Sequence, residues 1–145
     1  MVVTLDPLLK SILDAPVGQV ENTLKNSLDC DIQLEIVEQN QTSGSNFLRK
    51  IVITAKEFPL IRASTIFDSE IIPNNITSEL LRKKDGIGTI LSRNNITTER
   101  KVISLDFDPN GNKVTRNYQI INNNSVWFEI FEEIRLDYIT ACKNS

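Results

Sequence analysis

Arg49 and Glu129 are the side chains whose types and positions demand a chemical explanation. Arg49 stands in the run Phe47-Leu48-Arg49-Lys50-Ile51-Val52-Ile53. Counted as a regular strand, it shares a face with Phe47, Ile51 and Ile53, while Lys50 and Lys56 fall on the other face with Val52. Glu129, by the same count, lies with Trp127 and Phe131 in the middle of the last strand. Burying a guanidinium or a carboxylate without a partner costs several kcal/mol, so each calls for a counter-ion or a hydrogen-bonded ligand. Two readings compete. In one, Arg49 and Glu129 form a structural ion pair, or the opposite face of their strands is the buried one. In the other, they face a pocket in which Arg49 binds an anionic group and Glu129 hydrogen-bonds to the far end of the ligand. Arg62 falls with Leu60 and Ile66 on the third strand and is a second, weaker candidate for binding an anion, its alternative being a surface or edge salt bridge.

Other chemistry is excluded by composition. The chain has no histidine, so the usual general base, proton shuttle and commonest metal ligand are absent, and a Ser-His-Asp triad is impossible. No metal site or cofactor is expected. Gly86-Ile87-Gly88 has too few glycines, and no following Lys-Ser or Lys-Thr, for a nucleotide-phosphate loop; it reads as a close backbone approach. Arg82-Lys83-Lys84 reads as a solvated cluster at a helix end. Cys30 and Cys142 lie far apart in sequence, sit in no paired motif, and are expected as free thiols.

The elements that must position these residues follow from periodicity. Leu5, Leu8, Leu9, Ile12 and Leu13 recur at helical spacing until Pro16, and Val17, Val20, Leu24 and Leu28 mark a second helix running to about Asp29. Alternation then takes over at Ile32, Leu34 and Ile36; a polar turn spans Gln39 to Asn46, a second strand spans Phe47 to Lys56, and a third spans Leu60 to Phe67. One or two short helices are expected between Ile71 and Leu91. Strands return at Lys101–Phe107, Val114–Ile121 and Val126–Ile134, the first two joined by a turn carrying Asn110-Gly111. The tail from Asp137 to Ser145 is left open between helix and frayed coil. The result is an α+β fold: a six-stranded antiparallel sheet with two N-terminal helices and a short helical insertion.

The 145 residues suit a single domain, 1–145, and the 40% hydrophobic content suits one core. The net charge of -3 arises from mixed signs without a like-charge run, so a nucleic-acid partner is not expected. No stretch approaches the ~20 apolar residues of a membrane span, and no signal-peptide pattern opens the chain. The expected location is the cytoplasm, or the plastid stroma if the chain is plastid-encoded.

Five stations along the chain, in order, resemble the chorismate pyruvate-lyase family, including its short cyanobacterial and plastid-type members. They are Leu5-Asp6-Pro7 with Ile12-Leu13-Asp14, Phe47-Leu48-Arg49-Lys50-Ile51, Arg62 through Pro73, Asp85 to Leu91, and Trp127-Phe128-Glu129-Ile130-Phe131. The resemblance implies a lyase, without cofactor, that eliminates pyruvate from chorismate and supplies 4-hydroxybenzoate to quinone biosynthesis. It implies that Arg49 binds the ring carboxylate, that Glu129 acts at the ether or phenol oxygen as proton donor, and that Val17 and Ile87 line the pocket, with Arg62 a candidate for the pyruvyl carboxylate. The same fold also resembles effector-binding domains of transcription regulators, so the alternative is a non-catalytic domain that binds a small aromatic carboxylate.

Overall fold

The computed structural model describes residues 7–108, 110 and 112–145. Helix α1 (Pro7–Asp14) begins on a proline, whose fixed φ suits the first helical position, and buries Leu8, Leu9 and Ile12. The expected start of this helix at Leu5 lies outside the described residues. Pro16 and Gly18 break the chain, Gly18 at φ 90°, before α2 (Val20–Leu28), which ends where Asp29 turns left-handed at φ 50°.

Six strands follow the expected order: β1 (Ile32–Ser43), β2 (Asn46–Ala55), β3 (Phe58–Asp68), β4 (Glu99–Phe107), β5 (Lys113–Asn122) and β6 (Ser125–Arg135). Between β3 and β4 the chain forms α3 (Asn74–Leu81) and α4 (Ile87–Arg93), and it closes with α5 (Leu136–Lys143), which resolves the tail as helix. The strands make one antiparallel sheet in the order β1-β2-β3-β6-β5-β4. Two three-stranded meanders thus meet at the β3–β6 pair, and the α+β architecture is the expected one.

The polar segment Gln39 to Asn46 is not a long turn. β1 continues to Ser43, with Gln39 opposite Arg49 and Gln41 opposite Phe47, and the reversal is confined to Gly44 and Ser45. Ladder pairing along β2 carries strand geometry through residues whose own preference is for turns. The β5–β6 reversal uses Asn123 and Asn124 at φ 47° and 66°, left-handed backbone that asparagine tolerates. Pro109 and Gly111 of the β4–β5 turn lie outside the described residues.

All five helices pack on one face of the sheet. At one end, Leu8, Leu9, Ile12 and Leu24 from α1 and α2 and Ile139 and Cys142 from α5 meet Ile53, Leu60, Ile61, Val114 and Ile134. At the other end, Ile76, Leu80, Ile90 and Leu91 from α3 and α4 meet Phe67, Tyr118, Ile120, Phe128 and Ile130. Each fully buried Leu or Ile contributes roughly 1.5–3 kcal/mol, so these two clusters fix the helices over the sheet. Between them runs a belt of buried polar side chains: Arg49, Thr65, Arg116 and Glu132. No helix among the described residues is long and apolar enough to cross a membrane.

Candidate functional site

The belt opens into a cavity between sheet and helices. Its floor is formed by Leu34, Arg49, Ile51, Ile53, Ala63, Thr65, Arg100, Tyr118, Ile130 and Glu132; its roof is formed by Val17, Gly18, Val20 and Glu21 on one side and Gly86, Ile87, Gly88 and Thr89 on the other. The two halves of the roof touch through glycine. A Cβ on Gly88 would stand 2.1 Å from Gly18 Cα, and one on Gly18 would stand 2.9 Å from Gly88 O. No larger residue fits at either position without parting the two segments, so the close approach expected at Gly86-Ile87-Gly88 is an approach to Gly18.

Three guanidiniums tie the sheet to this roof. Arg49 donates from Nη2 to the carbonyl of Asp85, just before α4. Arg116 donates from Nη1 to Leu13 O at 3.0 Å, and Arg100 from Nη1 to Ala15 O at 2.6 Å, both at the exit of α1. Arg116 is also neutralised by Glu132, to which Nε and Nη2 donate at 3.0 and 2.7 Å. Tyr118 donates its hydroxyl to the other oxygen of Glu132 at 3.4 Å, while Arg100 and Arg116 both lie over its ring, 4.9 and 4.7 Å from the centroid. Burial, and then Glu132, hold the Tyr118 phenol well above its usual range, so it is a neutral hydrogen-bonding group at any physiological pH.

Arg49 is the outstanding case. It is 1% exposed, yet among the described residues its Nε and Nη1 have no hydrogen-bond partner, and the same holds for Nε of Arg100. Burial pushes the Arg49 pKa down to about 10, against the opposing pull of Asp85; the group remains charged at neutral pH. Burial lowers Arg100 likewise. Glu21 in the roof is raised, by burial first and by Asp85 second, so its ionised form is disfavoured there. The cavity therefore combines an apolar wall, two under-satisfied cations and a carboxyl that ionises reluctantly: a setting for an anionic headgroup on a compact apolar body.

Arg49, Val17 and Ile87, singled out from the sequence, all line this cavity. Glu129 and Arg62 do not. Both lie on the helix-free face, Glu129 with Leu48, Ser64, Ile66 and Phe131 around it, and Arg62 beside Lys50, Val52 and Ser64. The expected convergence of Arg49 and Glu129 on one pocket does not occur, and the cause is a pair of β-bulges. Ile120 pairs with Phe128 but Ile121 pairs with Val126, leaving Trp127 as an extra residue in β6. Ile53 pairs with Ile61 but Thr54 pairs with Pro59, leaving Leu60 extra in β3. An extra residue reverses the parity of everything beyond it. Trp127 and Phe128 are consequently both buried, as are Leu60 and Ile61. Ile66 and Phe131, the neighbours assigned to Arg62 and Glu129, are 50% and 53% exposed.

The carboxylate that does reach the inner face is Glu132, and with it Arg116 and Tyr118, none of which the sequence reading picked out. A signal existed: Val114, Arg116, Tyr118 and Ile120 alternate just as the Arg49 run does, and Phe128, Ile130 and Ile134 outnumber Trp127 and Phe131 as an apolar parity set.

No family model matches the chain, and no curated protein matches its sequence. Solved structures do match. PhnF from Mycobacterium smegmatis aligns with a TM-score of 0.62 at 9% identity, over 86% of this chain and 66% of that one. The effector domain of the same PhnF aligns at 0.56 and 10%, over 84% of this chain and 91% of that one. The fold is that of the PhnF effector domain. A possible transcriptional regulator, YydK from Bacillus subtilis, aligns at 0.54 and 8%, over 76% of this chain and 61% of that one. The chain thus spans 66% of the matched PhnF chain and 61% of the YydK chain, less than two thirds of each.

These findings correct the sequence reading on identity. The matched structures are PhnF, its effector domain and a possible transcriptional regulator, and none of the three is a chorismate pyruvate-lyase, so membership in that family is overturned, and with it the expected enzyme and its place in quinone biosynthesis. The carboxylate cast as proton donor, Glu129, lies on the other face of the sheet from the cavity, which agrees with that correction.

Proposed function

We propose that this chain acts as a non-catalytic binding domain, one unit of the kind found as effector domains in regulators, whose ligand is a small organic anion with a compact apolar body. Arg49 anchors the anionic group. The observation that carries this reading is the buried guanidinium with two donors, Nε and Nη1, unpartnered among the described residues, on the wall of an apolar cavity. Nε–H and Nη1–H point to different sides of the guanidinium, so each offers its own hydrogen bond to an oxygen of a carboxylate or a phosphate monoester, while Nη2 is held by the Asp85 carbonyl. Arg100 supplies a further donor, Val17 and Ile87 cover the ligand from the roof, and the Arg116–Glu132–Tyr118 cluster forms a polar floor that is already internally satisfied. Small aromatic carboxylates fit this description, the ring against Ile51, Ile87 and Ile130.

The test is a thermal-shift series with benzoate, 4-hydroxybenzoate and a small phosphate ester, alongside neutral amide analogues. Saturating anion should raise Tm, because a ligand bound only by the folded state stabilises it by mass action, while the amides should not. Stabilisation by the amides equal to that by the acids would overturn the anion anchor, and release of pyruvate from chorismate would overturn the non-catalytic assignment.

A further inference from the structure

We propose that Cys30 and Cys142 are a dithiol that closes to an intramolecular disulfide, joining the turn between α2 and β1 to the C-terminal helix α5. Far apart in sequence, the two residues are brought together by the sheet. Ile32, at the start of β1, pairs with Ala55 at the end of β2, and Cys142 Sγ lies 3.8 Å from Ala55 O. Cys30 stands two residues before Ile32 and packs against the same apolar cluster in which Cys142 is buried. Burial, and then Cys30, push the Cys142 thiol up.

The pair is asymmetric: Cys30 is half-buried and reachable, whereas Cys142 is 1% exposed. That asymmetry orders the chemistry. The oxidant is a low-molecular-weight disulfide. Cys30 as thiolate attacks one of its sulfurs, the small S–S bond breaks, and one small thiol leaves with the proton that Cys30 gave up. Cys142 then loses its proton and attacks Sγ of Cys30; the mixed disulfide breaks and the second small thiol leaves with that proton. Two protein thiols are oxidised to one disulfide while one small disulfide is reduced to two thiols. The bond encloses most of the chain in one loop and clamps α5 to the end of α2.

Incubating the folded full chain with oxidised glutathione, followed by intact-mass measurement and a non-reducing peptide map, tests this. The expected product is a monomer lighter by two hydrogens, with Cys30 and Cys142 peptides crosslinked and Tm raised by roughly 5–15 °C. Cys142→Ala should instead hold a lasting glutathione adduct on Cys30, and Cys30→Ser should take up none. If wild type itself accumulates that lasting adduct, or links only between molecules, the proposal is overturned. Wild type alone decides the matter should a variant fail to fold.

Discussion

Arg116 and Glu132 face each other directly across β5 and β6, and Nη2 of Arg116 stands 2.7 Å from Oε1 of Glu132 with both side chains withdrawn from water. A buried pair of this kind does little net work for stability, but removing one member strands the other. Glu132→Ala should destabilise the fold by ~3–5 kcal/mol, whereas Arg116→Met with Glu132→Leu together should come far closer to wild type. Urea titration of wild type and the two variants is the measurement, and a Glu132→Ala cost below ~1 kcal/mol, as for an exposed pair, would contradict it.

The glycine contact in the roof makes a second prediction. Alanine at Gly88 would normally favour helix α4 by up to ~1 kcal/mol, but its Cβ would fall 2.4 Å from Gly18 N. The clash should win, with a net loss of ~1–3 kcal/mol and weaker ligand binding as the two halves of the roof separate. Gly44→Ala is the control: among the described residues nothing lies within 4 Å of its Cβ, so only the strain of φ 55° should appear, and ligand affinity should not change.

The misplacement of Glu129 is itself informative about what a sequence can carry. Helices α1 and α2, the presence of the six strands and the inward side of Arg49 were legible because each depends on a local period, 3.6 or 2, whereas the tail that forms α5 was left open. Glu129 and Arg62 were not, because Trp127 and Leu60 are bulges, and a bulge is decided by the partner strand rather than by the residue that bulges. The continuation of β1 through Gln39 and Gln41 was hidden for a similar reason, since its stabilisation comes from pairing with Arg49 and Phe47.

From that geometry, Glu129→Gln and Arg62→Ala should leave ligand affinity within about twofold of wild type and stability within ~0.5 kcal/mol, the usual range for surface positions. A large loss of affinity in Glu129→Gln, measured by calorimetric titration, would move the binding site to the helix-free face.

Glu21 supplies a pH dependence with a definite sign. Its pKa in the folded chain is raised above the ordinary 4.5 by burial and by Asp85. The folded state therefore resists ionisation: the penalty is absent below the unfolded-state pKa and fully present above the folded one, so this group lowers stability as pH rises through that interval. Glu21→Gln should be more stable than wild type at pH 7, with the difference vanishing as pH falls below about 4.5. Equal or lower stability of the variant at neutral pH would refute the assignment.

The central claim is that the buried guanidinium of Arg49, with Nε and Nη1 unpartnered among the described residues, anchors an anion. Arg49→Met keeps the bulk while removing both the charge and its donors, so it should fold with a Tm equal to or above that of wild type. Calorimetric titration of the two proteins with 4-hydroxybenzoate and with a small phosphate ester is the most direct test. The account predicts binding of at least one of these anions to wild type and a loss of ~2–5 kcal/mol in Arg49→Met, as for a truncated buried charge contact; equal affinity in the folded variant, or no binding of either anion to wild type, would contradict it.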